Sequence, residues 1–183
     1  MRGSVDFIGL NHYTSNYIGN RKSPLPPVYR RTFNDDQRTD GSSYKNGVPI
    51  GPRADSDWLF VYPPGIRSML NWIQKRYQPK MIYVTENGVD VPNESSMPIQ
   101  QALDDTFRLN YLHDYITEIS KAAMEDGVNV KAYFVWAMMD NFEWTSGYAC
   151  RFGIVYVDYN SPNLDRYIKN SAKWYSELVK QQN

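Results

Sequence analysis

The sequence predicts an α/β fold, a parallel sheet covered by helices. Three observations carry the prediction: short continuous apolar runs, helical-period stripes between them, and a polar cluster at the end of each run. A half-wet antiparallel strand would alternate apolar and polar residues, and these runs do not.

The first run is Val5, Phe7, Ile8, Gly9 and Leu10, ending in Asn11-His12-Tyr13-Thr14-Ser15. It reads as a buried strand that hands polar groups to a surface. Residues 20–57 hold five of the eleven prolines and many Asp, Asn, Ser and Gly, so a long loop or short irregular hairpins are expected there. Loops of that length inside compact domains are commonly functional. After Pro63-Pro64-Gly65, the positions Ile66, Met69, Leu70, Ile73 and Tyr77 follow helical spacing, and Gln78-Pro79 stops the helix. A second strand, Met81 to Thr85, ends in Glu86-Asn87-Gly88. Asp104 or Asp105 is expected to cap a longer helix with the stripe Phe107, Tyr111, Leu112, Tyr115, Ile116, Ile119, Ala122 and Ala123, stopped by Gly127. A third strand, Val128 to Trp136, leads into Asp140-Asn141-Phe142-Glu143-Trp144, and Arg166 to Lys180 reads as a last helix. Three strands do not close a barrel, and each outer strand leaves unpaired backbone groups. The chain is therefore expected to be incomplete at its N-terminus, and aggregation-prone in isolation.

Composition limits the function. Twenty basic and twenty acidic side chains cancel, which argues against nucleic acid or an anionic membrane as the main partner. One cysteine, Cys150, excludes an internal disulfide, and with only two histidines no Cys/His zinc cluster is expected. Met1 to Leu10 lack the character of a signal peptide, and no stretch approaches the roughly 20 apolar residues that span a bilayer. Aromatic residues make up 15% of the chain, with 15 Tyr and 5 Trp. Their flat amphipathic rings suit a sugar or aromatic ligand, and equally an aromatic-rich core.

Asn11 and Tyr13, Glu86, and Glu143 with Trp144 all follow the C-terminal ends of the three expected strands, the edge where α/β sheets bind ligands. A glutamate that ends an apolar strand suits a nucleophile or general base; it can equally be a surface carboxylate that starts a turn.

Four segments carry a family resemblance. Tyr83-Val84-Thr85-Glu86-Asn87-Gly88 resembles the nucleophile motif of family 1 glycoside hydrolases, the retaining β-glucosidases. Asp6 to Ser15, Trp136 to Trp144, and Arg151-Phe152-Gly153-Ile154-Val155-Tyr156 match in the same order, and the resemblance runs on to Ser171-Ala172-Lys173-Trp174-Tyr175. It implies a (β/α)8 TIM barrel, of which residues 1–183 form the C-terminal part, strands six to eight with their helices. It makes residues 20–57 the aglycone-side loop.

The resemblance implies that Glu86 is the nucleophile and that Tyr13 donates a hydrogen bond to it. Asn11 would be a neighbouring polar group of the glycone pocket, and Trp136 the indole floor under the sugar. Glu143 and Trp144 would bind the 4- and 6-hydroxyls, and Phe152 would form a pocket wall. Trp58, on a shorter match, would be the aglycone platform. No cofactor and no metal are implied. A carboxylate at Glu143 accepts bonds from a neutral sugar and repels a 6-phosphate, and the phospho-glucosidase branch has no glutamate there. The expected ligand is a β-glucoside or small oligosaccharide.

Retaining chemistry also needs a second carboxyl roughly 5 to 5.5 Å from the nucleophile. The family places it in a Thr-Phe-Asn-Glu-Pro motif that this sequence lacks. Thr32-Phe33-Asn34-Asp35-Asp36 imitates it without the Glu-Pro ending and reads as coincidence. The missing N-terminal half of the barrel would have to supply the acid. Two other readings stay open: a carbohydrate-binding pseudoenzyme, and a thioglucosidase that keeps the nucleophile and replaces the acid. The compartment is not readable. His113 is expected to be a solvated helix residue, His12 to point away from the pocket, Cys150 to be inert, and Asn93-Glu94-Ser95 to be no more than a formal glycosylation acceptor.

Overall fold

A computed structural model describes residues 4–181, so the first residues of the Met1–Leu10 stretch lie outside it. In chain order the strands are β1 (Ile8–Asn11), β2 (Tyr17–Asn20), β3 (Thr39–Ser42), β4 (Tyr44–Lys45), β5 (Val48–Pro49), β6 (Ile82–Asn87), β7 (Val130–Val135), β8 (Val155–Val157) and β9 (Arg166–Ile168). The helices are α1 (Phe33–Asp36), α2 (Pro64–Tyr77), α3 (Ile99–Leu103), α4 (Thr106–Met124) and α5 (Asn170–Lys180).

The central sheet has the order β1–β6–β7, with both pairings parallel. Helix α2 returns the chain from the first excursion to β6, and α4 carries it from β6 to β7. The helices pack on each other and on one face of the sheet. Between them lies the core: Ile66, Leu70, Ile82, Val84, Leu112 and Tyr115 are all wholly buried. The three runs and two long helices stand where helical spacing and apolar continuity put them, but the first run is not the buried strand expected. Strand β1 is an outer strand of the sheet with no fully buried residue, and Val5 and Phe7, before it, are about half exposed.

Local chemistry explains the ends. Pro64 opens α2, where a missing N–H costs nothing, and Gln78 closes it in the left-handed conformation just before Pro79. Gly127, at φ 71°, turns the chain after α4. Asp105 does occupy the position before α4, but its carboxylate makes no capping bond. It is engaged instead by Arg108 at 2.6 Å and by the Ser171 backbone N–H at 2.8 Å.

Residues 20–57, with β2 just before them, form the short hairpins expected there, β2–β3 and β4–β5. The structure differs from expectation in three other places. The same segment holds a turn of helix, α1, that was unforeseen. Residues 166–168 are a strand, paired antiparallel with β8, and only from Asn170 does the last helix begin. The strand β6 runs through Glu86 to Asn87 rather than ending before them.

Candidate active site

Glu86 owes its position to an irregularity in β6. Val84 and Asn87 are both buried on the helix side, Val84 in the core and Asn87 against the Tyr111 hydroxyl of α4 at 2.9 Å. Two residues, Thr85 and Glu86, therefore lie between consecutive helix-facing positions, and the register with β7 slips there. Such a bulge re-aims a side chain, here bringing the half-buried Glu86 carboxylate out at the strand end. On the other side β1 has its own slip, which pairs Asn11 with Glu86. The Asn11 Oδ1 accepts from the Thr85 hydroxyl at 2.6 Å.

The Tyr13 hydroxyl donates to Glu86 Oε2 at 2.7 Å. Its backbone is held as firmly as its ring: the Tyr13 carbonyl accepts from Tyr111 at 2.8 Å and from Tyr115 at 3.2 Å, two stacked phenols of α4. Burial, reinforced by the bond to the Glu86 carboxylate, pushes the Tyr13 phenol far above its ordinary pKa, so it stays a donor. Glu86 Oε1 has no hydrogen-bond donor among the described residues.

The end of β7 is locked to β6. The Trp136 N–H donates to the Asn87 carbonyl at 2.9 Å, and a Cβ on Gly88 would stand 1.7 Å from the Trp136 carbonyl oxygen, so that position admits only glycine. The Trp136–Ala137 peptide is cis. Beyond it the Trp136 indole N–H donates to Glu143 Oε1 at 2.9 Å. Burial raises the Glu143 carboxyl above its usual range, the indole bond opposes this, and the negative charges of Asp90 and Glu86 add to the rise.

Aromatic rings border these groups. Trp58 and Phe152 each meet the Tyr13 ring edge-on, with centroids 5.8 and 6.1 Å away. Thr14 fixes the Trp58 segment by exchanging two bonds with the Phe60 backbone. Phe152 is buried, whereas Trp58 is half exposed. Of the eight expected site residues, seven gather at one strand-end surface. Trp144 starts a short turn with 83% of its surface exposed, and no bond or ring contact ties it to the other seven.

Residues that spacing did not single out hold this arrangement. Asn87 is wholly buried, donates to the His12 carbonyl at 2.7 Å and accepts from the Tyr133 hydroxyl at 2.9 Å. Asp140 accepts from Arg151 at 2.5 Å and from the Gly153 and Val157 backbone N–H groups, tying the segment that leads to Glu143 to the one that carries Phe152. The signal for both lay in their motifs, as a polar residue inside an apolar frame.

The other candidates behave as follows. His12 is buried against Tyr115 and pushed down to about 4 by burial, on the helix side and away from Glu86. His113 is exposed and bonds Asp114. Asp35 is committed to Arg21 and Thr32, and their hydrogen bonds push its carboxyl down to about 2. Among the described residues no helix is long and apolar enough to cross a membrane.

Known proteins share this architecture. The sequence profile of Glycosyl hydrolase family 1 matches residues 1–183. Beta-glucosidase 12 of Oryza sativa subsp. indica is 45% identical over 181 residues, 98% of this chain and 34% of its own length. The raucaffricine-O-beta-D-glucosidase of Rauvolfia serpentina is 47% identical over 95% of this chain and 32% of its own. A mutant rice β-glucosidase, solved in a covalent complex with Glc, superposes with a TM-score of 0.91 at 41% identity over 96% of this chain and 37% of that one. The chain thus spans about a third of the length of the relatives it matches, and its three parallel strands with their helices are part of the TIM barrel these proteins form. On its sequence, its sheet and its strand-end residues together, the chain belongs to glycosyl hydrolase family 1.

Proposed function

We propose that this chain carries the nucleophile side of a retaining β-glucosidase, acting on β-glucosides or small oligosaccharides. The single observation that carries the reading is the Tyr13 hydroxyl bonded at 2.7 Å to a glutamate raised on a strand-end bulge. In a double displacement, the unbonded Glu86 Oε1 attacks the anomeric carbon while the leaving oxygen takes a proton from a second carboxyl. Water, activated by that second carboxylate, then breaks the glycosyl–Glu86 bond and restores the starting configuration. Tyr13 holds Glu86 in one orientation and, being kept protonated, supports its negative charge before attack and after release.

Trp136 offers its ring to the apolar C–H face of the sugar, with its N–H taken up by Glu143. Glu143 then has one oxygen left for sugar hydroxyls, joined by Asn11, and Phe152 and Trp58 close the sides. The Glu143 charge favours a neutral glucoside over a 6-phosphorylated one. A covalent complex with Glc in the similar rice enzyme supports the chemistry. The acid/base belongs to the part of the relatives' length that this chain does not span. Asp35, held by Arg21 and low in pKa, is unsuited to donate a proton.

General acid help is typically worth about 10² to 10⁴ in rate. The isolated chain should therefore show no turnover of cellobiose, and traces at most on dinitrophenyl β-glucoside, whose leaving group departs without a proton. A barrel completed with the N-terminal portion of a family relative should hydrolyse both. Cellobiose turnover by the isolated chain, lost on Glu86→Gln, would place an acid within these 183 residues and overturn the assignment.

A further inference from the structure

We propose that Asp55, Asp90 and Cys150 form a site for a borderline-soft divalent cation such as Zn2+. The three side chains each bring a ligand atom to within 4.8 Å of the other two. Asp90 is wholly buried, and its Oδ2 accepts from the Ser56 backbone N–H at 2.8 Å and from the Ser56 hydroxyl at 2.7 Å. Its Oδ1 is shut away from solvent with no donor among the described residues. A buried carboxylate oxygen in that state is costly, and the nearby Asp55 carboxylate makes it more so. Among the described residues no Lys, Arg or His pairs with Asp55 or Asp90, although every other wholly buried acid there has a cationic partner. A bound cation would complete Oδ1 and neutralise both carboxylates in one step.

The donor set selects the metal class. Mg2+ and Ca2+ take oxygen ligands, six or more for Ca2+, and do not use a thiol. Two carboxylate oxygens and a sulfur suit Zn2+, Cd2+ or Co2+ in tetrahedral coordination, with water in the fourth place. Tetrahedral bond lengths put ligand atoms about 3.5 Å apart, so from separations of up to 4.8 Å a closure of up to about 1.3 Å is needed. Asp55 and Cys150 are only partly buried; Asp55 Oδ1 accepts from the Asn93 backbone N–H at 2.9 Å, which leaves its Oδ2 for the ion. Cys150 is a free thiol 3.7 Å from the Ser56 hydroxyl, whose one proton goes to Asp90. Binding would release the thiol proton to solvent and form the metal–sulfur bond, with no change in oxidation state.

The cysteine and histidine count gave no hint of this, because a carboxylate–thiolate trio assembles from residues 35 to 95 positions apart. Its three segments also carry Trp58, Glu86 and Phe152, so the ion would tie the walls of the candidate site together. The proposal does not depend on the glycosidase reading.

The test uses the reduced 183-residue chain, stripped with chelator and titrated with Co2+. A sulfur-to-cobalt charge-transfer band saturating at one equivalent, displaced by Zn2+, is expected. Cys150→Ser should abolish the band, and Asp55→Asn, at the partly exposed ligand, should weaken Co2+ binding by about tenfold or more. Zn2+ should also raise the soluble refolded yield of the wild-type chain and not of Cys150→Ser. Absence of the sulfur band, or cobalt affinity unchanged in both variants, would overturn the proposal and assign any binding to His12, His113 or surface carboxylates.

Discussion

Two groups of carboxylates in this molecule live under opposite rules. Behind the strand ends, Glu94, Asp105 and Asp140 are buried together with Arg108, Arg151 and Lys169, three charges against three. Arg108 lies 2.6 Å from both Glu94 and Asp105, and Lys169 bridges Glu94 at 2.5 Å and Asp140 at 3.2 Å. At the strand ends, Glu86 and Glu143 have no cation beside them among the described residues, only the neutral Tyr13 hydroxyl and Trp136 indole. Matched charges fasten α4, α5 and the Asp140 segment into one unit. Unmatched ones leave carboxylate oxygens without a protein cation beside them, open to a ligand. The difference teaches that polar residues in this fold divide by counter-charge, not by depth.

The largest expected effect breaks the matched group. Arg108→Met leaves Glu94 and Asp105 without their shared cation in the interior and should cost about 3–5 kcal/mol in urea denaturation. Glu86→Gln keeps the acceptor for Tyr13 and removes a like charge near Glu143, so the same measurement should move by less than about 1 kcal/mol. Equal losses from the two would erase the distinction.

His12 sharpens it next, as a buried base with no counter-charge. Its folded pKa, about 4, lies below the unfolded 6.5, so below pH 6.5 the unfolded chain binds the extra proton. Stability should fall as pH drops from 6.5 to 4, by about 3 kcal/mol in all, and stay flat in this respect above 6.5. His12→Gln should remove most of that slope. A slope unchanged in the variant would place the proton elsewhere.

Tyr13→Phe deletes one charge-assisted bond and leaves the ring contacts with Trp58 and Phe152 in place. In a completed barrel it should lower turnover about tenfold, roughly 1.4 kcal/mol, with no loss of fold by circular dichroism. The smallest effect belongs to Asp35→Asn, on the exposed excursion far from the matched group in sequence and committed to Arg21. It should leave the rate of a completed barrel unchanged, and a marked loss would give the Thr32–Asp36 segment a chemical role.

What was legible in the sequence follows the same division. Apolar continuity and helical spacing announced β1, β6, β7, α2 and α4, because those patterns are local. The position of Glu86 beside Tyr13 was readable only through the motif, since the bulge that creates it depends on pairing with two other strands. Arg108 was hidden because a long cationic side chain within an apolar stripe reads as surface, and its partners lie up to 43 residues away along the chain. The β8–β9 hairpin was missed because three-residue strands show no period, and Arg166–Ile168 continued smoothly into the α5 pattern.

Glu86 as the nucleophile is the central claim, and covalent trapping tests it most directly. A completed barrel would be treated with an activated β-glucoside bearing fluorine in place of the hydroxyl beside the anomeric carbon, which slows release of the glycosyl-enzyme more than its formation. After digestion, mass spectrometry should find one fluoroglycosyl group, and fragmentation should place it on Glu86, with no adduct in Glu86→Gln. An adduct on any other residue, or full turnover by Glu86→Gln, would contradict the account.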